Sequence, residues 1–327
     1  MNLPLTMAMS GYDHVRDLDS GAVRVEGVDL TSLTLPVEEI FFRFLKYREW
    51  HVSELSLAKY VALRAAGDTS LSAIPVFPSR VCRHSSIFVR RGGPTDPKEL
   101  AGGRIGVPEW AQTASVYTRA LLQHEWGIAL SDVSWYQAGV NTPGRQEKVA
   151  VHLPEGVSLT RVPDRSLDDM LRAGDLDAVL SAHPPESFER GDGDLVRLFP
   201  DYQPVEREHV ARTGIFPIMH ITAIRADVLE TAPWVAVNLL TAFEEAKRRS
   251  LARLAEITAS RIPLPWIPHL VEDMRALLGP DPWPYGVDAN RVTLDAFTHY
   301  AYEQGVAARL LEPEELFAPQ VLDQVRV

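Results

Sequence analysis

One cysteine, Cys82, occurs in 327 residues. That excludes an intrachain disulfide and any cysteine-rich metal centre. No run approaches the roughly 18 apolar residues of a membrane-crossing helix. The segment 1–9 also lacks the basic start and long apolar stretch of a secretion signal, so the expectation is a cytoplasmic protein without a membrane partner. A Walker loop, a GxSxG elbow, a dinucleotide GxGxxG and the metal spacings HxxH, HxH and HExxH are all missing. Their absence argues against nucleotide hydrolysis, α/β-hydrolase chemistry and nicotinamide redox, and the expectation is neither a cofactor nor a metal. Basic residues are outnumbered, 33 Lys and Arg against 44 Asp and Glu for a net charge of -11, and they are scattered along the chain. A nucleic-acid partner is not expected.

What is present is a chain that is 46% hydrophobic and long enough for two lobes. Short apolar segments at 5–9, 28–33, 51–54, 71–77 and 86–90 read as strands, with helices at 36–47 and 56–66 between them. After the Gly- and Pro-rich segment RGGPTDP at 91–97 the alternation resumes, with strands at 104–107, 133–136 and 178–181 and helices at 113–126 and 166–173. A strand at 218–224 leads back, and from 233 onward the chain is largely helical. This is an α/β pattern with mostly parallel sheets. The simplest assembly has lobe 1 from 1–94 and 216–327, lobe 2 from 95–215, and a ligand cleft between them. The helices after Pro233 with Trp266 and Trp283 serve core packing or a subunit interface, so a homo-oligomer is an open expectation.

The stretch PKELAGGRIGVPEWAQTAS carries the clearest functional signal. A Gly-Gly turn and a buried strand deliver Thr113 and Ser115 to a helix N-terminus, where free amides and hydroxyls hold a carboxylate or another anion. Other loops at strand ends offer Ser10 to His14, Glu54 with Ser56, Arg80 with Arg83 and His84, His183 in SAHPP, and His220 in FPIMHI. Arg80 and Arg83 either fork onto ligand carboxylates or make ordinary ion pairs. His183 and His220 are the candidate acids, because imidazole titrates near neutral pH; for each, the competing expectation is a hydrogen-bonded structural ring. Glu54 either relays a proton or a phenolic hydroxyl contact, or only decorates a helix start. Cys82 takes no part in the expected chemistry.

The segments SELSLAKY, IPVFPSRVCRHSSIFVR, PKELAGGRIGVPEWAQTASVYTRALL, DLDAVLSAHPP and IFPIMHITAIRADVLE, in this order, resemble the 4,5-dihydroxyphthalate decarboxylase family. The resemblance implies a two-lobed type II periplasmic-binding-protein-like fold put to enzymatic use. It implies loss of one carboxylate from 4,5-dihydroxyphthalate, or a related hydroxylated aromatic dicarboxylate, by protonation at the ipso carbon, giving protocatechuate and carbon dioxide without an organic cofactor. On that basis Arg80, Arg83, Thr113, Ser115, Ser56 and His84 are expected to bind substrate, and Glu54 with His183 or His220 to carry the proton chemistry. The alternative is a non-catalytic solute-binding or sensor protein of the same fold.

Overall fold

The alternation of apolar strands and helices forms two sheets in a computed structural model that describes residues 2–322. The chain begins with β1 (Leu3–Met9), α1 (Arg16–Asp19), β2 (Val28–Thr34), α2 (Val37–Tyr47), β3 (Val52–Ser56), α3 (Leu57–Ala65) and β4 (Leu71–Arg80). It continues through β5 (Ile87–Arg90), β6 (Arg104–Val107), α4 (Thr113–Ala120), β7 (Ser134–Gln137), β8 (Leu159–Arg161) and α5 (Leu167–Ala173). Next come β9 (Ala178–Leu180), α6 (Glu186–Glu189), β10 (Leu195–Arg197) and α7 (Tyr202–Thr213). Then β11 (Ile218–Arg225) is followed by α8 (Ala226–Thr231), α9 (Val235–Leu254), α10 (Ile267–Leu278) and α11 (Arg291–Glu303).

Local chemistry accounts for the element boundaries that matter here. Pro36 precedes α2, Glu38 and Glu39 sit in its positive first turn, and Ile40, Phe41 and Phe44 form its buried face. In α5 the Ser166 hydroxyl accepts the Asp169 amide, and Gly174 ends the helix in the left-handed conformation. Every residue of β3 is buried, as expected of a strand covered on both faces.

The first sheet has the order β2-β1-β3-β11-β4. Its first three strands are parallel, and β11 returns from far along the chain to lie antiparallel between β3 and β4. The second sheet has the order β10-β5-β9-β6-β7-β8. Four of these strands, β9, β6, β7 and β8, run parallel, whereas β5 is antiparallel to both its neighbours. The strand at Ile87–Arg90, expected with the first lobe, therefore belongs to the second. The chain crosses between β4 and β5, ahead of the Gly- and Pro-rich segment, because a mostly apolar strand of four residues fits either sheet and tertiary pairing decides. The helix expected over 113–126 also differs: α4 stops at Ala120 and Leu121–Glu125 widens into a π turn.

The main core joins the first sheet to α4, β6 and the C-terminal helices, and a smaller core around Phe88, Leu167 and Leu176 lies on the second sheet. After β7 the chain doubles back at Gly139, where a Cβ would stand 1.9 Å from the Thr142 carbonyl oxygen. That tight fold leads directly to Arg145. No helix among the described residues is long and apolar enough to cross a membrane.

Candidate active site

Glu54 lies in the centre of the first sheet with 0% exposure. A bare carboxylate there would be costly, but every contact it makes is a donor. Its Oε2 accepts the Ser10 amide at 2.9 Å, and its Oε1 accepts the Tyr12 hydroxyl at 2.5 Å and faces His220 Nδ1 at 2.6 Å. Burial alone pushes the Glu54 carboxyl up; the hydrogen bond and charge of His220, with Tyr12 and the Ser10 amide, outweigh it and hold the group below the ordinary glutamate value. With Glu54 ionised, His220 donates through Nδ1. Its Nε2 is then the nitrogen left for a ligand. Burial, reinforced by the Glu54 charge, raises the Tyr12 phenol far above its usual range, so it stays a donor.

The geometry of β11 aims His220. Its register against β4 slips between Ile218 and His220 and again between His220 and Thr222. Met219 and His220 consequently line the same cavity, although a regular strand would send neighbours to opposite faces. Phe41 of α2 packs edge-on to the imidazole with ring centroids 4.9 Å apart.

That cavity, of about 360 Å³, lies between the lobes. α2, β3, α3 and β11 contribute its first wall; Gln112 and Thr113 at the start of α4, Arg145, Lys148 and His183 contribute the other. Two helix N-termini meet there. Ser56 Oγ and Thr113 Oγ1 are 2.9 Å apart, and the Ala58 amide of α3 donates to Thr113 Oγ1 at 3.0 Å. The first-turn amides of α4 have no intrahelical partner and add positive potential.

Four cationic side chains line the cavity: Lys59, Arg83, Arg145 and Lys148. Three converge on the buried Glu109, with Lys59 Nζ at 2.7 Å, Arg145 Nε at 2.6 Å and Lys148 Nζ at 3.5 Å. Burial pushes the Glu109 carboxyl up, yet the charges of Lys59, Arg145 and Lys148 prevail and lower it. Arg145 also reaches across the cleft to Glu38 of α2 at 3.0 Å, and His183 Nε2 lies 3.7 Å from the same oxygen. Arg83 is different. Its guanidinium contacts Met219 Sδ at 3.1 Å and Ser86 Oγ at 3.3 Å, and among the described residues it has no carboxylate ion pair. Burial lowers it to about 10, leaving it charged at neutral pH.

The structure thus brings Ser56, Arg83, Thr113, His183 and His220 to one cleft, with Glu54 bound to His220 behind its wall. It removes three expected ligands. Arg80 is turned into the first lobe, where its guanidinium donates to the carbonyls of Phe216 at 3.1 Å and Pro284 at 2.8 Å and to Asn290. Ser115 is fully buried and donates to Gln112 Oε1 at 3.2 Å, off the cavity. His84 faces a separate cavity, beside Glu125 and His209. Glu54 is sealed behind His220 and does not face a ligand, while His183 stands at the mouth with 58% of its side chain exposed. Sequence reasoning missed Lys59, Arg145 and Lys148. For Arg145 and Lys148 the available signal was the pair of basic residues in RQEK directly after the Pro143-Gly144 turn. Cys82 lines the smaller cavity, its thiol pushed up to about 12 by burial.

The fold matches the periplasmic aliphatic sulphonate binding protein SsuA from Escherichia coli with a TM-score of 0.54 and 13% identity, covering 99% of this chain and 100% of that one. It matches a putative periplasmic sulfonate-binding SsuA from Methylobacillus flagellatus at a TM-score of 0.58 and 13% identity, over 98% and 93% of the two chains. It also matches the desulfurization enzyme DSZB at a TM-score of 0.53 and 15% identity, over 98% of each chain. The protein therefore has the expected two-lobed periplasmic-binding-protein-like fold. No family model matches the chain. In sequence it is 39% identical to a 4,5-dihydroxyphthalate decarboxylase from Comamonas testosteroni over 327 residues, covering 99% of both chains. A second such enzyme, from Pseudomonas putida, is 39% identical over 203 residues, 62% of this chain and 79% of that one. The chain belongs to the 4,5-dihydroxyphthalate decarboxylase family.

Proposed function

We propose that the chain decarboxylates 4,5-dihydroxyphthalate to protocatechuate and carbon dioxide in the interlobe cavity, with His220 as the proton donor. The observation that carries this reading is the imidazole itself: Nδ1 is fixed by a buried carboxylate at 2.6 Å and the ring faces a cavity rich in cations. Glu54 faces the positive charge the ring bears when both nitrogens are protonated.

Each carboxylate of the substrate stands para to a hydroxyl, so the ring can feed electron density to either ipso carbon. His220 Nε2 gives its proton to that carbon. The bond to the carboxylate then breaks, its electron pair restores the aromatic ring, and carbon dioxide leaves; solvent reprotonates the imidazole. Arg83, the cleft cation without a carboxylate partner, and the amides at the start of α4 hold the retained carboxylate. Phe41 and Met219 supply an apolar wall where neutral carbon dioxide replaces a charged group. His183 and Glu38, 3.7 Å apart at the mouth, bridge the lobes over the bound ring. A homo-oligomer belongs to the same reading, with exposed Ile257, Leu264 and Trp266 as the apolar side chains available to it; a mass measurement in solution decides that point.

The test is carbon dioxide release from 4,5-dihydroxyphthalate by the purified chain, with the product identified by chromatography. One carbon dioxide per protocatechuate supports the proposal. Tight binding by calorimetry without turnover replaces it with a solute-binding protein, and neither binding nor turnover means that the substrate is wrong.

A further inference from the structure

We propose that His84, Glu125 and His209 form a metal site for a zinc-class divalent cation, separate from the substrate cavity. The three residues come from the crossing after β4, the π turn after α4, and α7. One donor atom from each lies within 4.8 Å of the others. Glu125 Oε1 is 2.5 Å from His209 Nδ1, and Oε2 is 3.7 Å from His84 Nε2. Two imidazoles and one carboxylate are a donor set that zinc takes, with a fourth position left for water.

His84 is the independent observation. It is 1% exposed, and among the described residues neither ring nitrogen has a hydrogen-bond partner. An imidazole always carries at least one N–H, so burying both nitrogens unpaired is costly unless something binds there. Phe199 and Trp126 pack edge-on to His84 at ring-centroid distances of 5.5 and 6.2 Å. A cavity of about 100 Å³ gives access. Arg212 donates to Glu125 Oε1 at 2.6 Å, which leaves Oε2 toward His84. The π turn is what turns Glu125 toward this point; such single widened turns concentrate at functional sites.

The site sits on both passages between the lobes. His84 follows Arg83 on the outgoing crossing, and His209 lies on the helix that ends just before the chain returns to β11. An ion there clips the two crossings together and fixes the segment that carries Arg83, which lines both cavities.

The test uses chelator-stripped full-length protein titrated with Zn²⁺ against a chromophoric competitor, and with Co²⁺ while absorption is recorded. One Zn²⁺ per chain is expected, with the visible bands of four- or five-coordinate Co²⁺. His84→Ala and His209→Gln lower the affinity by about 100-fold, at or beyond the loss seen when an outer-shell partner is removed. A His183→Asn/His220→Asn double variant, which strips the imidazoles from the cleft, keeps the stoichiometry. Absence of stoichiometric binding by the wild-type chain overturns the proposal, and so does binding that survives His84→Ala but is lost in the cleft variant. If a cluster variant fails to fold, the wild-type Co²⁺ spectrum and a zinc-dependent rise in Tm decide alone. None of these readouts uses turnover, so failure here is distinct from failure of the decarboxylase reading.

Discussion

Two histidine–glutamate pairs of nearly the same geometry stand on opposite sides of Arg83. His220 lies 2.6 Å from Glu54 and His209 lies 2.5 Å from Glu125. What differs is what surrounds each pair. Glu54 is saturated by the Ser10 amide, Tyr12 and His220, and the ring it holds looks into about 360 Å³ lined by cations. Glu125 keeps an oxygen toward a second buried imidazole beside only about 100 Å³. The first arrangement suits proton delivery to an anion; the second suits holding a cation. Residue type alone does not separate the two, and the environment of the free ring nitrogen does.

The two pairs are expected to respond differently when their carboxylates are neutralised. Glu54→Gln removes the charge that faces the imidazolium and is expected to lower kcat about 100-fold, within the range of general acid catalysis. Combined with His220→Asn it should cost no more than His220→Asn alone, since the two act as one unit. Glu125→Gln, in contrast, should leave kcat unchanged; an equal loss from both would erase the distinction. Steady-state carbon dioxide release measures each. The next largest effect is expected at Arg83. Arg83→Met should raise KM for the dicarboxylate by about 10- to 100-fold, the worth of a charge-assisted bond, with a smaller effect on kcat.

Arg80 sharpens the contrast from the other side. Its guanidinium is spent on the Phe216 and Pro284 carbonyls and on Asn290. Arg80→Met should therefore cost about 2–3 kcal/mol of stability by leaving buried acceptors unpaired, read as a lower denaturation midpoint, and leave KM in place. The smallest effect concerns His14, beside Tyr12, whose ring burial lowers from 6.5 to about 4. The unfolded chain takes this proton near pH 6.5 and the folded chain only near 4, so stability is full above 6.5 and falls as pH drops through that window. By pH 5 the loss amounts to at most about 2 kcal/mol. Urea midpoints of His14→Gln at pH 7 and pH 5 should differ less than those of the wild type.

Much of this was legible in the sequence. Apolar segments marked every strand of the first sheet and four of the second, the short edge strands β8 and β10 being too brief and polar to stand out, and Pro36, Ser166 and Gly174 marked helix ends close to where they fall. Ser56, Thr113, Arg83 and His220 line the cavity, near the strand ends where ligands sit in this architecture, whereas Glu54 lies within β3 behind His220. Side-chain direction was not legible. Arg80 ends β4 opposite Ile218, where the register slips, and no periodicity announces which way such a residue turns. The same slip puts Met219 and His220 side by side. Ser115 sits two positions beyond Thr113 on a helix, about 200° around it, so one hydroxyl reaches the cavity and the other cannot. The His84 cluster joins positions 84, 125 and 209, and a spacing of that size carries no local signature. The sheet membership of β5 was hidden for a similar reason, since three apolar residues and an arginine do not name their partner strand.

In the proposed mechanism His220 gives its proton to the substrate ring. The most direct measurement is the turnover of His220→Asn with 4,5-dihydroxyphthalate, alongside its affinity for the same compound by calorimetry and alongside His183→Asn. A loss of turnover of about 100-fold or more is expected for His220→Asn, with affinity retained, and near wild-type turnover for His183→Asn. Turnover of His220→Asn within a few-fold of the wild type would contradict this role, and a large loss at His183 instead would move the proton donor to the other wall of the cleft.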